Sequence, residues 1–412
     1  MYSSERVDPQ KLFAPVRQTL TDRLAPGEPL VAALDDTRLR KSGRKTHGVK
    51  YTRDPLGPPF HINFIKAQRF LQLSMASPAG NGMARMIPID FVHAPSPRKP
   101  SAQADEEVRA QFRNAKRDQA LPKVAADRLR MLRDAMDKDG QTNRPLWSVV
   151  DGGYTNRTFL RPLPQRTMMV GRIRSDAKLY HLPESSQGKP GRNRVYGHRA
   201  PTPEELRQDD AVPWTNVEAF AAGKTHLFKI KTTNPLRWRS AGKEHDLKLI
   251  VIAPLGYRLT KSSRILYRKA AYLICTDPDA SLQQVLQAYL WRWDIEVNFR
   301  DEKTLLGVGQ AQVRLVHSVE NVPSLAVAAY AMLLASATQA YAPTATPDAL
   351  PAPKWRRKQN LRASTQSLIN HLRHEVWARS IRFSGFVSQH PSHSKPQKLN
   401  PCLEGALFYA TG

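Results

Sequence analysis

Apolar positions along the chain fall into two rhythms, short runs that suit buried strands and longer stretches with a helical period. The first run, PLVAALDDT, starts at Pro29 and ends in two acids, Asp35 and Asp36, ahead of the basic RLRKSGRKTHGVKY. It reads as a strand feeding a basic loop. FIKAQRFLQLSMA and ARMIPIDFVHA predict two more strands, parted by Gly, Asn and Pro as antiparallel neighbours are. After PSPRKPSAQADEE the period lengthens, and Glu106 to Lys138 predicts two helices separated near Pro122. WSVVDGGYTNRTFL predicts a buried strand, then Asp151, two glycines and a helix starting near Asn156; TMMVGRIR predicts a further strand.

From about Asp176 to Asp279, loops rich in Gly, Pro, Arg and Lys alternate with strand-like HLFKIKTT, DLKLIVIAP and AYLICTD, the pattern of a β-rich insertion or lobe. QAYLWRWDIEVNFRDEK, from Gln287 to Lys303, predicts one helix. At 3.6 residues per turn, Tyr289, Arg292, Glu296 and Lys303 share an arc of roughly 60°. Arg300 and Trp293 lie beside that arc, while Leu290, Ile295, Val297 and Leu306 point elsewhere. A solvated face with an Arg292/Glu296 pair, worth ~0.2–0.5 kcal/mol, has the same pattern. A cationic, aromatic stripe with one acid also suits an anionic, metal-bearing neighbour. SLAVAAYAMLLASATQAY, from Ser324 to Tyr341, lacks charge over about the length of a membrane span. Its Ala, Ser, Thr and Gln content and its lack of flanking anchors predict a buried helix instead. A Pro-rich linker, APTATPDALPAPK, then leads to basic WRRKQN, a last helix near Ser364 to Ser380, and a tail with little periodicity.

Charge changes the picture. Lys and Arg total 63 against 36 Asp and Glu, a net +27 on 412 residues. Self-repulsion of that size opposes folding unless polyanions neutralise it, which points to nucleic acid. The length permits one large core or two ordinary ones. Two cysteines, Cys275 and Cys402, provide no disulfide or zinc framework and fit a reducing cytoplasm. The opening MYSSERVDPQ has no apolar core of a secretory signal.

Against that charge the acids stand out. Asp35/Asp36, Asp151 and Glu296 each sit at the end of, or on, a regular element, where carboxylates distant in sequence can meet across a mixed α/β core. Two Mg²⁺ ions roughly 3.5–4 Å apart need oxygen ligands from several elements, one or two carboxylates per ion. Taken singly, VVDGG is an Asx turn and LDDT a polar strand end. GVGQ at Gly307 to Gln310 follows a helix and reads as its C-cap, not as a phosphate loop. HLRHE at His371 to Glu375 has no third ligand and reads as surface. Trp214 and Trp238 are partly buried core or platforms for an unpaired base. KSGRK and WRRKQN position phosphates or are solvated; they do not specify sequence.

Tyr289, two residues, Arg292, three residues, Glu296, six residues, Lys303 resembles the Y-R-E-K signature of bacterial insertion-sequence transposases, in the DDE-superfamily branch named for insertion sequence four. RWDIEVNFRDEKTLLGVGQ, LDDT and VVDGGYTNRTFL are similar to that family too, and the resemblance spans roughly Pro29 to Tyr341. It implies an α/β, ribonuclease H-like mixed sheet flanked by helices, with a β-rich insertion between the second and third acids. The expected organisation is a short N-terminal segment (1–28), the first part of the catalytic domain (29–175), the insertion (176–280), completion of the domain (281–341), and a linker, basic helix and tail (342–412).

The resemblance further implies metal-dependent cleavage and strand transfer at transposon ends. Asp35 or Asp36, Asp151 and Glu296 would bind two Mg²⁺, with Mn²⁺ able to substitute. Strand alternation lets only one of Asp35 and Asp36 face the metals, Asp35 being preferred. Tyr289, Arg292 and Lys303, with Arg300 beside them, would contact DNA. The implied partner is double-stranded DNA with terminal inverted repeats, bound by a homodimer in the bacterial cytoplasm at the nucleoid, with no membrane. The rivals are a nuclease of the same fold without joining and a DNA-binding remnant. About thirty residues precede the first acid, fewer than in relatives, so a truncated copy or an upstream start is also expected.

Overall fold

The apolar run before the paired acids becomes β1 (Leu30–Arg40), and its alternation explains the layering of the molecule. Leu30, Ala32 and Leu34 belong to one buried cluster, Val31 and Ala33 to another. A strand covered on both faces reads as a continuous apolar run, as PLVAAL does. The computed structural model describes residues 7–43, 45–54, 57–58, 60–184, 194–258, 262–340 and 362–383. The Pro-rich linker, WRRKQN, the tail and Cys402 lie outside these.

Ahead of β1 stands α1 (Gln10–Thr21), which the strand and helix patterns did not single out; Phe13, Val16 and Leu20 bury one face of it. β2 (Lys50–Arg53), β3 (Phe64–Pro78) and β4 (Ala84–His93) follow as antiparallel strands. The two helices expected about Pro122 are α2 (Glu106–Asp118) and α3 (Leu121–Lys138). Asp105 caps α2 by accepting from the Val108 amide at 2.8 Å. β5 (Leu146–Val150), α4 (Arg157–Leu160) and β6 (Thr167–Arg172) match the next expectations, with Asn156 as the N-cap of α4.

β7 (Leu179–His181), α5 (Pro203–Gln208), β8 (Thr215–Ala221), β9 (Lys224–Trp238) and β10 (Leu247–Ile252) come next. A small ribbon of β11 (Gly256–Tyr257) and β12 (Leu266–Tyr267) precedes β13 (Ala271–Cys275). The chain continues through α6 (Leu282–Trp291), α7 (Asp294–Thr304), α8 (Val316–Ala340) and α9 (Thr365–Phe383).

Among the described residues one sheet has 11 strands, in the order β2-β3-β1-β5-β6-β13-β10-β9-β7, with β4 also on β3 and β8 on β9. β1, β5 and β6 are parallel; β3 runs against them, and β4, antiparallel to β3, runs with them. The β-rich segment after the second acid does not stand apart as a lobe. Its last strand, β13, pairs antiparallel with β6, and β10, β9 and β7 extend the same sheet from there.

Helix α8 is long and apolar enough to cross a membrane, yet half of its most apolar window is buried inside the protein. Val327, Ala328, Ala331 and Leu334 are fully covered, as the reading of a buried helix expected.

Candidate active site

Strand register sets the first two acids side by side. In the parallel pair β1/β5, Leu34 is partnered with Val150, so Asp35 and Asp151 are the next positions along adjacent chains. They follow Ala33 and Val149, which lie in the cluster shared with Val285, Ile295 and Phe299 of α6 and α7. Period-2 alternation therefore turns Asp35 toward the α7 side of the sheet. Ile295 and Phe299 anchor α7, leaving Glu296 exposed on its outer side. Asp35, Asp151 and Glu296 thus border one cleft of about 1130 Å³.

Asp35 shows the electrostatic consequence. Burial, then the neighbouring charge of Asp151 and, more weakly, of Glu296 push its pKa up to about 7, against the pull of Arg292. Arg292 Nη1 donates to Asp35 Oδ2 at 3.2 Å, and both side chains are only about a tenth exposed. Asp35 Oδ1 also accepts from the Asp36 amide at 2.8 Å. Asp151 Oδ1 accepts from the Gly153 amide at 2.8 Å, the Asx turn that VVDGG predicted.

Asp36 also touches the cleft, but its carboxylate is engaged on the opposite face of β1. It accepts from the Tyr154 hydroxyl at 3.2 Å and lies 3.4 Å from Arg38. Burial and the nearby Asp36, Asp35 and Asp151 charges raise the Tyr154 pKa, so its phenol stays protonated.

The helix predicted from Gln287 to Lys303 is two helices. Its break lies at Arg292 and Trp293, where Trp293, Ile295 and Glu296 amides bond three residues back, to Leu290, Arg292 and Trp293 carbonyls. A 3₁₀ step winds about 120° per residue instead of 100°, which rotates everything beyond it. Side-chain docking holds both halves. Gln287 exchanges hydrogen bonds with the Phe220 backbone, Trp291 Nε1 donates to Gly82 O at 2.8 Å, and Asp294 Oδ2 accepts from the Met86 amide at 3.0 Å.

The stripe is consequently divided. Glu296, Arg300 and Lys303 line the first cleft with Arg38, Arg40 and Lys41. Tyr289 and Arg292 line a second, of about 1180 Å³, with Arg172, Arg174, Lys178 and Lys269, and Trp238 sits on its wall. Asp151 borders both. Arg292 lies 5.7 Å from the Tyr289 ring centre, a cation–π contact. Arg300 bonds Asp301 while two-thirds of its side chain stays in solvent. Burial lowers the Lys303 pKa, an effect that Glu302 and Glu296 oppose.

The other tryptophan weighed as a base platform, Trp214, carries Lys231 Nζ 4.6 Å from its ring centre. GVGQ follows the helix end as expected, but the C-cap of α7 is Leu305; Gly307, two residues on, takes φ +63°, and the Val308 amide reaches back to Glu302 O at 2.8 Å.

Three further acids of the same segment lie off the stripe. Asp294 pairs with Arg362, and Asp301 accepts from Thr365 Oγ1 at 2.6 Å, so both hold the start of α9. Glu302 is 1% exposed, and its Oε1 has no protein hydrogen-bond partner among the described residues. Burial lifts its pKa to about 8, despite the favourable Gln72 side chain and Lys303 charge. Its ordinary value is far lower, so the unfolded chain ionises first as pH rises and folding stability falls between about 4.5 and about 8. Glu302→Gln removes this titration. Its Tm gain over the parent is expected to grow across that range in thermal melts, and a pH-independent difference would refute the assignment.

Residues 2–244 match the family model described as DDE superfamily endonuclease. The chain belongs to that family. The matched residues include Asp35, Asp36 and Asp151 and end before Glu296. The large mixed sheet flanked by helices is consistent with a ribonuclease H-like DDE fold, and membership supports a nuclease-type enzyme. No curated protein matches the chain. DDE enzymes use divalent metal ions, and the cluster suits them. Its donors are all carboxylate oxygens, the hard ligands that Mg²⁺ and Mn²⁺ take, and Asp35 is already crowded by like charge that a cation would relieve.

Proposed function

We propose that this DDE endonuclease is a transposase of the insertion-sequence-four branch, cutting and joining DNA at the Asp35, Asp151 and Glu296 cluster. The observation that carries the reading is three carboxylates on one basic cleft, joined through Asp151 to a second basic cleft, with signature residues in both. Two Mg²⁺, or Mn²⁺ in their place, would supply an activated oxygen nucleophile and charge neutralisation at the phosphate.

The chain's own groups do the rest. Asp35, Asp151 and Glu296 would hold the ions, and Asp36 supports β1 from behind through Tyr154 and Arg38. Arg292 counters the Asp35 charge and presents a planar fork to phosphate that Lys cannot reproduce. Lys303 and Arg300 neutralise the DNA backbone in the first cleft, and Tyr289 packs beside Arg292 in the second. The proposed partner is double-stranded DNA with terminal inverted repeats, held by a homodimer in the bacterial cytoplasm.

If the stripe meets phosphates, Lys303→Ala reduces the slope of log affinity against log salt by somewhat under one unit on an end-containing duplex, since about one fewer counterion is released. An unchanged slope would mean that Lys303 faces solvent only. The family description favours a second reading, a nuclease without joining. Supplying a precut end with a free 3′-hydroxyl and a target duplex separates the two: joined product supports transposition, nicking alone the nuclease.

A further inference from the structure

Far from the acid cluster in chemistry, a second group of donors converges where the basic loop after β1, the end of β4 and the first turns of α8 meet. It consists of His47, His93 and Glu320, whose ligating atoms all lie within 4.8 Å of one another. His93 Nδ1 is 3.4 Å from Glu320 Oε1, and His47 Nε2 is 3.9 Å from the same oxygen. We infer that these three side chains bind one Zn²⁺ ion, which fastens the loop from Lys41 to Val49 to the body of the protein.

Donor spacing is the first argument. At Zn–N distances of about 2.0–2.1 Å, tetrahedral ligands stand about 3.4 Å apart, so two of the three donor pairs are already at or within about half an ångström of that separation. Donor type is the second. Two imidazoles and one carboxylate suit Zn²⁺, whereas Mg²⁺ prefers oxygen alone, so this site and the acid cluster select different ions. Three protein ligands leave the fourth position to water.

Preparation of the ligands is the third argument. The His93 side chain is 2% exposed and its ring lies tilted against Phe70, with centres 5.0 Å apart, which restricts its orientation. Gln68 Nε2 donates to His47 O at 2.7 Å and pins the loop above it. Gly48, at φ +70°, is where the loop crosses His93; a Cβ there would stand 2.4 Å from Nε2. Only glycine permits that approach.

The consequence reaches the DNA-facing cleft, because Lys41, Ser42, Gly43 and Thr46 of the same loop line it. The ion would stiffen one wall of the cleft without touching the reaction.

The test is calorimetric titration of the EDTA-dialysed full chain with Zn²⁺ alone, in an Asp35→Asn/Glu296→Gln background that disables the acid cluster. One equivalent is expected, with a Tm that rises with zinc and is insensitive to Mg²⁺. His47→Ala and Glu320→Gln, both at partly exposed side chains, are each expected to weaken Zn²⁺ at least about tenfold, since even indirect supports of a metal site cost 10–100-fold. Absence of zinc binding would overturn the assignment, as would affinity unchanged in both variants. A Tm loss in these variants that is the same with and without EDTA would show an ion pair only, and would also overturn it.

Discussion

Asp35→Asn, Asp151→Asn and Glu296→Gln each lower metal-dependent strand cleavage by about a thousandfold or more, while duplex binding persists or tightens. Removing one carboxylate from a site proposed to hold two cations sacrifices several kcal/mol of transition-state charge stabilisation, and about 4 kcal/mol is already a thousandfold. Binding moves the other way because a negative charge next to phosphate disappears. Asp36→Asn separates the paired acids. Its carboxylate is engaged by Tyr154 and Arg38 on the opposite face of β1, and an amide oxygen still accepts from that hydroxyl. Cleavage by Asp36→Asn should therefore fall by less than about tenfold. Gel assays of cleavage and band shift on one labelled duplex decide both points, and full activity in Glu296→Gln would remove the cluster from consideration.

The second large effect runs opposite in sign for the same residue: Asp35→Asn, inactive, is more thermostable than the parent when metal is absent. Burial and the Asp151 charge raise the Asp35 pKa from its ordinary 3.8 to about 7. The unfolded chain therefore releases this proton at lower pH than the folded one, so stability declines as pH rises from about 4 to about 7 and stays reduced above that. Asparagine does not titrate. The variant's stability advantage, read as a higher Tm, is expected to be near zero at pH 4 and largest above pH 7, on the order of a few kcal/mol. Divalent metal should erase it by stabilising the parent alone. Melts at several pH values with EDTA and with Mn²⁺ check this, and a flat advantage across pH would show that Asp35 is not crowded. A site whose function costs stability in the empty state is the expected pattern where charge is gathered for a ligand.

Both results rest on geometry that was legible only in part from the chain. The acids at Asp35/Asp36, Asp151 and Glu296 and the apolar runs beneath them were visible because strand alternation and helical period are local. The choice between Asp35 and Asp36 needed knowledge of which face of β1 meets α7, and that follows from Ile295 and Phe299 packing on the Ala33 and Val149 side. The division of the stripe was not legible, since three amides bonding three residues back leave no mark in residue type.

Glu302 was missed because the groups that bury it come from β3, far away in sequence, as Gln72 does. The β-rich segment was seen but not its attachment, because strands advertise their faces and not their partners; β13 finds β6 about a hundred residues back. Helix α1 was hidden by Pro15 inside it, although Phe13, Val16 and Leu20 carried the helical spacing.

The central claim, that these three acids are metal ligands, is tested most directly by exchanging oxygen for sulfur. Asp151→Cys and Glu296→Cys put a soft thiolate where a hard carboxylate stood, a ligand that Mg²⁺ refuses and Mn²⁺ tolerates better. Strand cleavage by each cysteine variant should be lost in Mg²⁺ and partly restored in Mn²⁺, whereas the alanine variants stay inactive in both. Cleavage in Mg²⁺ at the parental rate, or no difference between the two metals, would contradict the assignment.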